Sequence, residues 1–264
     1  MKNGKELNNI VEVGDYFDIE TDEETNLLKQ SDIDKLLNTI LKKYGGKMKK
    51  GKVERKYKIQ KMNYLKDMLL TGDYEIPVVN KQFKTLNIDK IIPFNYFNTC
   101  KRPEEYYLHF YIDDYQFERV YSNPDKYIEI LSKFKGVIGP DFSVLSDMPL
   151  CLQIYNDFRN KFLMAYFQSK GIKVIPNVTW GDCKTYNWCF DGLPKQSLLA
   201  ICSNGCLKKL SKELFIQGFN QMVEVLQPTQ IICIGKLPIG IQVGEQTKLT
   251  IIENSFTKGG INGR

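Results

Sequence analysis

The feature of this sequence that constrains its fold most is an alternation of short apolar runs with amphipathic helical segments, which begins near Ile76. The runs GVIG, IKVIP, SLLAIC and QIICIG carry apolar residues at consecutive positions rather than at every second position. Strands of that composition are buried on both faces, as in a parallel sheet whose strands are joined by helices. The pattern therefore predicts an α/β protein with a mostly parallel sheet of six or seven strands.

Two architectures satisfy this pattern, and the sequence leaves both open. One is an open, doubly wound sheet, and the other is an incomplete β/α-barrel, which is favoured because polar residues recur where the strand-like runs end. The spacing is too irregular for eight full units, and no internal repeat is visible. In both architectures, ligands bind at the carboxyl ends of the strands.

The amino-terminal quarter of the chain differs from this pattern. Residues 11–25 are acidic, and apolar residues between Ile33 and Tyr44 follow the spacing of one helix face. We therefore predict three regions: a helical extension over residues 1–75 that is first acidic and then basic, an α/β domain over 76–250, and a loose tail over 251–264.

The basic part of the extension is a candidate nucleic-acid interface. Residues 42–61 contain ten Lys or Arg side chains and one Glu, a density that suits phosphate contacts in DNA or RNA. A solvated linker is the alternative, because blocks of like charge are often only exposed. The predicted contact residues are Lys47, Lys49, Lys50, Lys52, Arg55, Lys56 and Lys58.

Composition excludes some classes of protein and argues against others. No apolar run approaches the roughly 20 residues that span a bilayer, and the first residues lack the apolar core of a signal peptide. We therefore predict a cytoplasmic protein without a membrane partner, whose seven cysteines are reduced thiols. The spacing C-x5-C from Cys183 to Cys189 is too long for a zinc knuckle, although C-x3-C from Cys202 to Cys206 is acceptable.

Polar side chains at the ends of the predicted strands are the candidate active-site residues. If two of the carboxylates converge, they could hold a divalent cation or share general acid and base roles. Alternatively they cap the helices that follow, a role we favour for Ser146 and Asp147. The candidate catalytic residues are Asp113, Asp141, Ser143, Asn177, Trp180 and Ser203, together with Arg159 as an anion ligand.

Several common site types are absent from the sequence. The only histidine, His109, lies inside the run YYLHFYIDD, so no two-histidine metal site can form and we expect a core or sheet-face role. Neither the G-x-S-x-G nucleophile motif nor a G-x-x-x-x-G-K-[ST] phosphate loop is present. In the predicted helix after SLLAICS, Gly218 indicates close packing against a neighbouring element, because glycine otherwise weakens a helix.

The segments VIGPDFSVLSDMP, YNDFRNKFLMAYFQSKGIKVIPNVTW and CFDGLPKQSLLAICSNGC resemble a family of domains of unknown function found in phages, integrative elements and plasmids of Firmicutes. The resemblance covers residues 90–236 and implies a mobile-element context without an assigned reaction. Positions that match the family pattern are Asp141, Ser143, Asp147, Arg159, Asn160, Trp180 and Ser203.

These observations support two main hypotheses. The first is a nucleic-acid-associated mobile-element protein that acts in replication, transfer or host interference, based on the net charge of +6 and the basic segment. The second is an enzyme that processes a small molecule or nucleotide at the carboxyl ends of the strands. A third reading, an element-encoded protein that binds a host factor, also remains open.

Overall fold

The structure is a computed structural model that describes residues 60–206, 209–241 and 243–252. The chain divides into two compact units, Met1–Asn63 and Tyr64–Arg264. The predicted helical extension up to residue 59, with its seven candidate nucleic-acid contacts, and most of the predicted tail lie outside the described residues. Within the described ranges, no helix combines the length and apolar character needed to cross a membrane.

The described residues form nine strands and five α-helices, with short 3-10 helices at Phe94–Thr99, Pro103–Glu105 and Cys183–Thr185. The strands are β1 (Leu70–Thr71), β2 (Ile76–Pro77), β3 (Ile91–Pro93), β4 (Tyr107–His109), β5 (Gly136–Ile138), β6 (Val174–Ile175), β7 (Leu198–Cys202), β8 (Gln230–Ile234) and β9 (Lys248–Ile252). The α-helices are α1 (Met62–Leu65), α2 (Asp114–Ser122), α3 (Asp125–Leu131), α4 (Leu150–Ser169) and α5 (Lys209–Leu226).

Strands β3 to β9 are parallel, and each lies beside the strand that follows it in sequence. Ladders join β3–β4–β5–β6 and β7–β8–β9, while β1 and β2 form a separate antiparallel hairpin. The two ladders meet where Asn177 forms a parallel bridge with Ala200, whose carbonyl accepts a 2.9 Å hydrogen bond from the Val178 amide. The predicted α/β fold is confirmed, and the strand order has no reversal of the kind that defines a doubly wound sheet, which favours the barrel-like alternative.

The side chains of the strands alternate between two apolar clusters. One cluster collects inward-facing residues from several strands, and the larger one joins the opposite strand face to the helices. A sheet that buries one face against itself is curved like a barrel wall. No ladder pairs β3 with β9 among the described residues, so the barrel is incomplete there. The inner cluster contains Ile91, Tyr107, Ile138, Ile175, Leu198, Ala200, Ile232 and Ile234.

The segment before β3 closes the amino end of this barrel. The Leu198 amide donates to the Phe83 carbonyl (3.1 Å), and the Gln230 side chain bonds both backbone groups of Leu86 at 2.7 and 2.9 Å. The amino end is therefore occupied by the protein's own backbone, which leaves the carboxyl end as the open face.

Helix α4, with 20 residues, is the longest helix in the described part of the chain. Helix α3 begins at Asp125, with Pro124 at its N-cap position and no side-chain cap. The run YYLHFYIDD contains both a short strand and the start of a helix. In the structure β4 ends at His109, and α2 begins five residues later at Asp114.

A buried ion pair fixes helix α4 to the segment 183–193. The Lys161 ammonium lies 2.6 and 2.7 Å from the two Asp157 oxygens and donates to the Cys189 carbonyl at 2.7 Å. Both side chains are almost fully buried. Burial raises the Asp157 pKa to about 6, although Lys161 opposes that rise. The Gly192 carbonyl also accepts a 2.7 Å bond from the Val79 amide, so the segment packs between α4 and the chain after β2.

Candidate active site at the carboxyl ends of the strands

A cavity of about 580 Å³ opens where strands β5, β6 and β7 end and helix α5 begins. This volume lies within the range of small-molecule sites in proteins. Three of the residues predicted from the sequence line it: Asp141, Ser143 and Trp180. The other lining residues are Val144, Leu145, Ser146, Asp147, Val178, Thr179, Gly181, Cys202, Asn204, Gly205, Cys206, Ser211, Leu214 and Phe215.

A chain of hydrogen bonds orients the Asp141 carboxylate at the cavity wall. The Tyr111 hydroxyl donates to Asn177 Oδ1 at 2.8 Å, and Asn177 Nδ2 donates to Asp141 Oδ1 at 2.9 Å. The same Nδ2 group also donates to the Pro140 carbonyl at 2.9 Å. Tyr111 and Asn177 are buried, so both are held rigidly. Within the part of the chain that the structure describes, no hydrogen bond involves the second Asp141 oxygen, Oδ2.

The surroundings of Asp141 raise its pKa to about 6. Loss of contact with water has the largest effect, the hydrogen bond from Asn177 opposes it, and the nearby Asp114 carboxylate adds a smaller increase. A carboxyl with such a pKa exchanges protons close to neutral pH, as a general acid or base must.

Asp114, rather than the predicted Asp113, supports the site. Its two oxygens accept hydrogen bonds from the Ser143 amide and hydroxyl, each at 3.0 Å. Asp113 is exposed at the start of α2, where it accepts a 3.3 Å bond from Gln116, and it does not line the cavity. Asp113 and Asp141 therefore do not meet at the cavity, so these two carboxylates do not form the pair that the sequence left open. Among the described residues, no cluster of three or more His, Cys, Asp or Glu side chains is placed to hold a metal ion.

Arg159 also lies away from the cavity, on the outer side of the loop that carries Asp141. Its guanidinium pairs with Glu118 at 2.6 Å and lies 3.7 Å from the centre of the Phe142 ring. The same group donates to Asn156, whose Nδ2 donates to the Ser143 carbonyl at 2.6 Å. Arg159 is therefore placed to support the loop and does not line the cavity as the predicted anion ligand.

Asn160 holds the same loop through its backbone. Its side chain accepts a 2.7 Å bond from the Phe142 amide and donates a 3.0 Å bond to the Phe142 carbonyl. The F-R-N segment of α4 thus has a structural explanation: its two polar residues fix the backbone between Asp141 and Ser143.

Trp180 forms an aromatic wall of the cavity and packs directly on helix α5. A Cβ atom at Gly218 would overlap the Trp180 indole, which confirms the close packing predicted from this glycine. Phe215, one turn earlier in α5, lies 5.4 Å from Trp180 between ring centres. The absent side chain at Gly218 therefore sets the position of the indole.

Substitution Gly218→Ala is expected to displace Trp180 and to destabilise the fold by about 1–3 kcal/mol, because the overlap outweighs the better helix propensity of alanine. Urea unfolding and tryptophan emission would measure both effects. Gly244→Ala is the matched control, since a Cβ there meets nothing within 4 Å. Equal stability and emission in the two variants would contradict this packing.

At the carboxyl end of β7, two cysteines line the cavity, whereas the predicted Ser203 does not. Ser203 is buried, and its hydroxyl lies 3.4 Å from the Ile234 carbonyl rather than in the cavity. Cys202 and Cys206 line the cavity on either side of it. Burial, with a contribution from Asp141, raises the pKa of both thiols, so they are protonated at neutral pH.

One further prediction differs from the structure. Asp147 was expected to cap helix α4, but Pro149 occupies that position without a side-chain bond, and Asp147 lines the cavity instead. None of the residues in the segment 183–193 lines the cavity. In addition, Asp191 lies against Gly72 of the β1–β2 hairpin.

His109 is fully buried at the end of β4, as expected for a core histidine. Its Nδ1 accepts a 3.2 Å bond from the Tyr111 amide, and burial lowers its pKa to about 3. It is therefore uncharged at neutral pH and lies beside Tyr111, with ring centres 5.5 Å apart.

Sequence reasoning missed Tyr111 and the wall formed by Leu214 and Phe215, and it selected Asp113 rather than the neighbouring Asp114. Tyr111 stands two residues after His109, so strand alternation could have placed both on the inner face. For the part of the cavity wall that belongs to α5, Gly218 was the only indication in the sequence.

Comparison with known proteins gives a family match and two partial relatives. The family described as a domain of unknown function (DUF4417) matches residues 68–253. The Gene 1 protein of Mycobacterium phage L5 is 37% identical over 131 residues, which cover 49% of this chain and 57% of the relative. The Gene 1 protein of Mycobacterium phage D29 is 36% identical over 131 residues, covering 49% of this chain and 48% of that relative.

The chain thus spans about half the length of the curated relatives it matches. These matches confirm the expected relation to phage proteins, while both relatives come from mycobacteriophages rather than from phages of Firmicutes. No solved structure matches the chain.

Proposed function

We propose that this chain, which belongs to the DUF4417 family, is an enzyme whose active site is the cavity at the carboxyl ends of β5, β6 and β7. The observation that carries this proposal is the Asp141 carboxyl: it lines the cavity, is oriented by Asn177, and has a pKa raised to about 6. Perturbed carboxyl groups in a cleft are typical of catalytic sites.

In the proposed reaction, Asp141 is the general base or acid. Oδ1 is fixed by Asn177, so the proton is taken up or released at Oδ2. Tyr111 and Asn177 are positioning residues, because they hold the carboxylate without lining the cavity. Ser143 contributes a hydroxyl that Asp114 orients, and Trp180 contributes an apolar wall.

A nucleic-acid-associated role is the second candidate, and the basic segment at residues 42–61 favours it. The two roles are compatible, since a positively charged segment can bring nucleic acid to a catalytic cavity elsewhere in the chain. A replication, transfer or host-interference function would then use the cavity for chemistry and the segment for binding. Salt-dependent binding of DNA or RNA by the full chain is the expected result for this role.

The enzyme proposal is tested by incubating the full chain with a metabolite and nucleotide extract and following every compound by mass spectrometry. We expect at least one compound to be consumed by the wild type and by Asp89→Asn, which alters an exposed aspartate outside the cavity. Asp141→Asn should lose that activity by about a hundredfold or more, as for the removal of a general base. Consumption of no compound, or equal consumption by Asp141→Asn, would contradict the proposal.

A further inference from the structure

The charged side chains among the described residues that line the cavity differ in sign from the net charge of the whole chain. The chain carries a net charge of +6, whereas these described lining residues include two aspartates, Asp141 and Asp147, and no lysine or arginine. Two carboxylates at one cavity favour ligands that carry positive charge or N–H donors.

Another part of the same cavity lining is aromatic and apolar. Trp180 and Phe215 form it together with Val178 and Leu214, and Gly218 lets the indole pack against helix α5. A cavity that combines carboxylates with an aromatic surface suits flat cations, since the ring attracts positive charge and buries the apolar edges of the ligand.

The geometry of Asp141 adds a directional requirement. Oδ1 already accepts one hydrogen bond from Asn177, and Oδ2 is the oxygen that has no such bond in the described part of the chain. A carboxylate with both oxygens fixed in direction pairs best with two adjacent N–H donors on a flat group. Amidinium and guanidinium groups, and the equivalent edges of nitrogen heterocycles, present such a pair.

From these features we infer that the ligand of this cavity carries a flat amidinium-like or guanidinium-like group, which pairs with Asp141 and packs against the Trp180 wall. This inference rests on the proposed function for the location of the site, but it concerns recognition rather than proton transfer. If the ligand is part of a nucleic acid, the cavity takes the base and the phosphates lie outside it.

Three probes of equal size and different charge test this inference: benzamidine, benzamide and benzoate. Calorimetric titration of the full chain should give affinities in the order benzamidine, benzamide, benzoate, with at least about a tenfold difference between the first and the last. Asp141→Asn should weaken benzamidine binding by about tenfold and leave benzamide binding nearly unchanged.

A second measurement locates the binding. The chain has two tryptophans, and Trp188 is buried outside the cavity, so in Trp188→Phe the tryptophan emission comes from Trp180 alone. Benzamidine should change the emission of this variant, and benzoate should not. Thermal unfolding of Trp188→Phe shows whether the substitution has altered the fold. The calorimetric titration uses the unsubstituted chain, so its result does not depend on this variant.

Benzoate binding as tight as that of benzamidine, an unchanged order in Asp141→Asn, or no binding of any probe at millimolar concentration would overturn the inference. These outcomes can be distinguished from a failure of the proposed catalytic function. If benzamidine binds through Asp141 but no compound is turned over, the recognition stands and the catalytic role falls.

Discussion

Replacing Lys161 with methionine is expected to destabilise the chain by about 3–5 kcal/mol at neutral pH. The substitution keeps the apolar length of the side chain but removes the ammonium group, which lies 2.6 Å from the Asp157 carboxylate. Because both side chains are almost fully buried, water cannot replace the lost cation. The Cys189 carbonyl would also lose the hydrogen bond that holds the 183–193 segment on helix α4.

Urea unfolding of three variants separates these effects. The double variant Asp157→Asn/Lys161→Met should recover much of the loss, since it leaves no buried charge. Lys133→Met is the control, because its partner Glu129 is exposed and a surface pair contributes less than about 1 kcal/mol. The loss in Lys161→Met should also shrink as the pH falls, because protonation of Asp157 removes the unpaired charge. A loss equal to that of Lys133→Met would contradict the assigned role of this pair.

The second large effect concerns Asp141 and pH. Its carboxyl has a pKa of about 6 in the folded chain and an ordinary value of 3.8 otherwise. At pH values between these two pKa values, the folded chain binds more protons than the unfolded chain. The free energy of unfolding therefore falls as the pH rises through this range. Asp141→Asn has no proton to lose. The stability of this variant relative to the wild type should therefore increase by at most about 3 kcal/mol between pH 4 and pH 6. Above pH 6 the difference should stay constant.

The measurement is the free energy of unfolding of both proteins at several pH values. Asp157 also has a raised pKa, but it is present in both proteins and its contribution cancels in the difference. Asparagine retains an oxygen that can accept the bond from Asn177, so the substitution leaves the neighbouring packing in place. If the difference in unfolding free energy does not vary with pH, the pKa of the Asp141 carboxyl is not raised in the folded chain.

The sequence predicted the sheet well because its signal is local. Consecutive apolar residues marked the interior of the strands, and the polar residues after β5 and β6 placed Asp141, Ser143 and Trp180 near one edge. The rule that ligands bind at the carboxyl ends of parallel strands was enough to select these three positions.

The features that the sequence did not predict depend on contacts between segments that are distant in the chain. Asp113 and Asp114 are adjacent in sequence, yet one residue of helix rotation sends Asp113 to solvent and Asp114 to Ser143. Helix α4 is buried on most of its surface, so periodicity could not show that Arg159 faces Glu118 and Phe142. The buried pair of Lys161 with Asp157 likewise has no signal beyond an i, i+4 spacing, which usually marks an exposed helix surface.

The most direct test of the proposed active site is the pKa of the Asp141 carboxyl itself. Its carboxyl carbon resonance can be followed by NMR over a pH titration and assigned by its absence in Asp141→Asn. A midpoint of about 6 is expected. A midpoint at the ordinary value of 3.8 would mean that the surroundings do not raise the pKa of this carboxyl, and it would contradict a general acid–base role for Asp141.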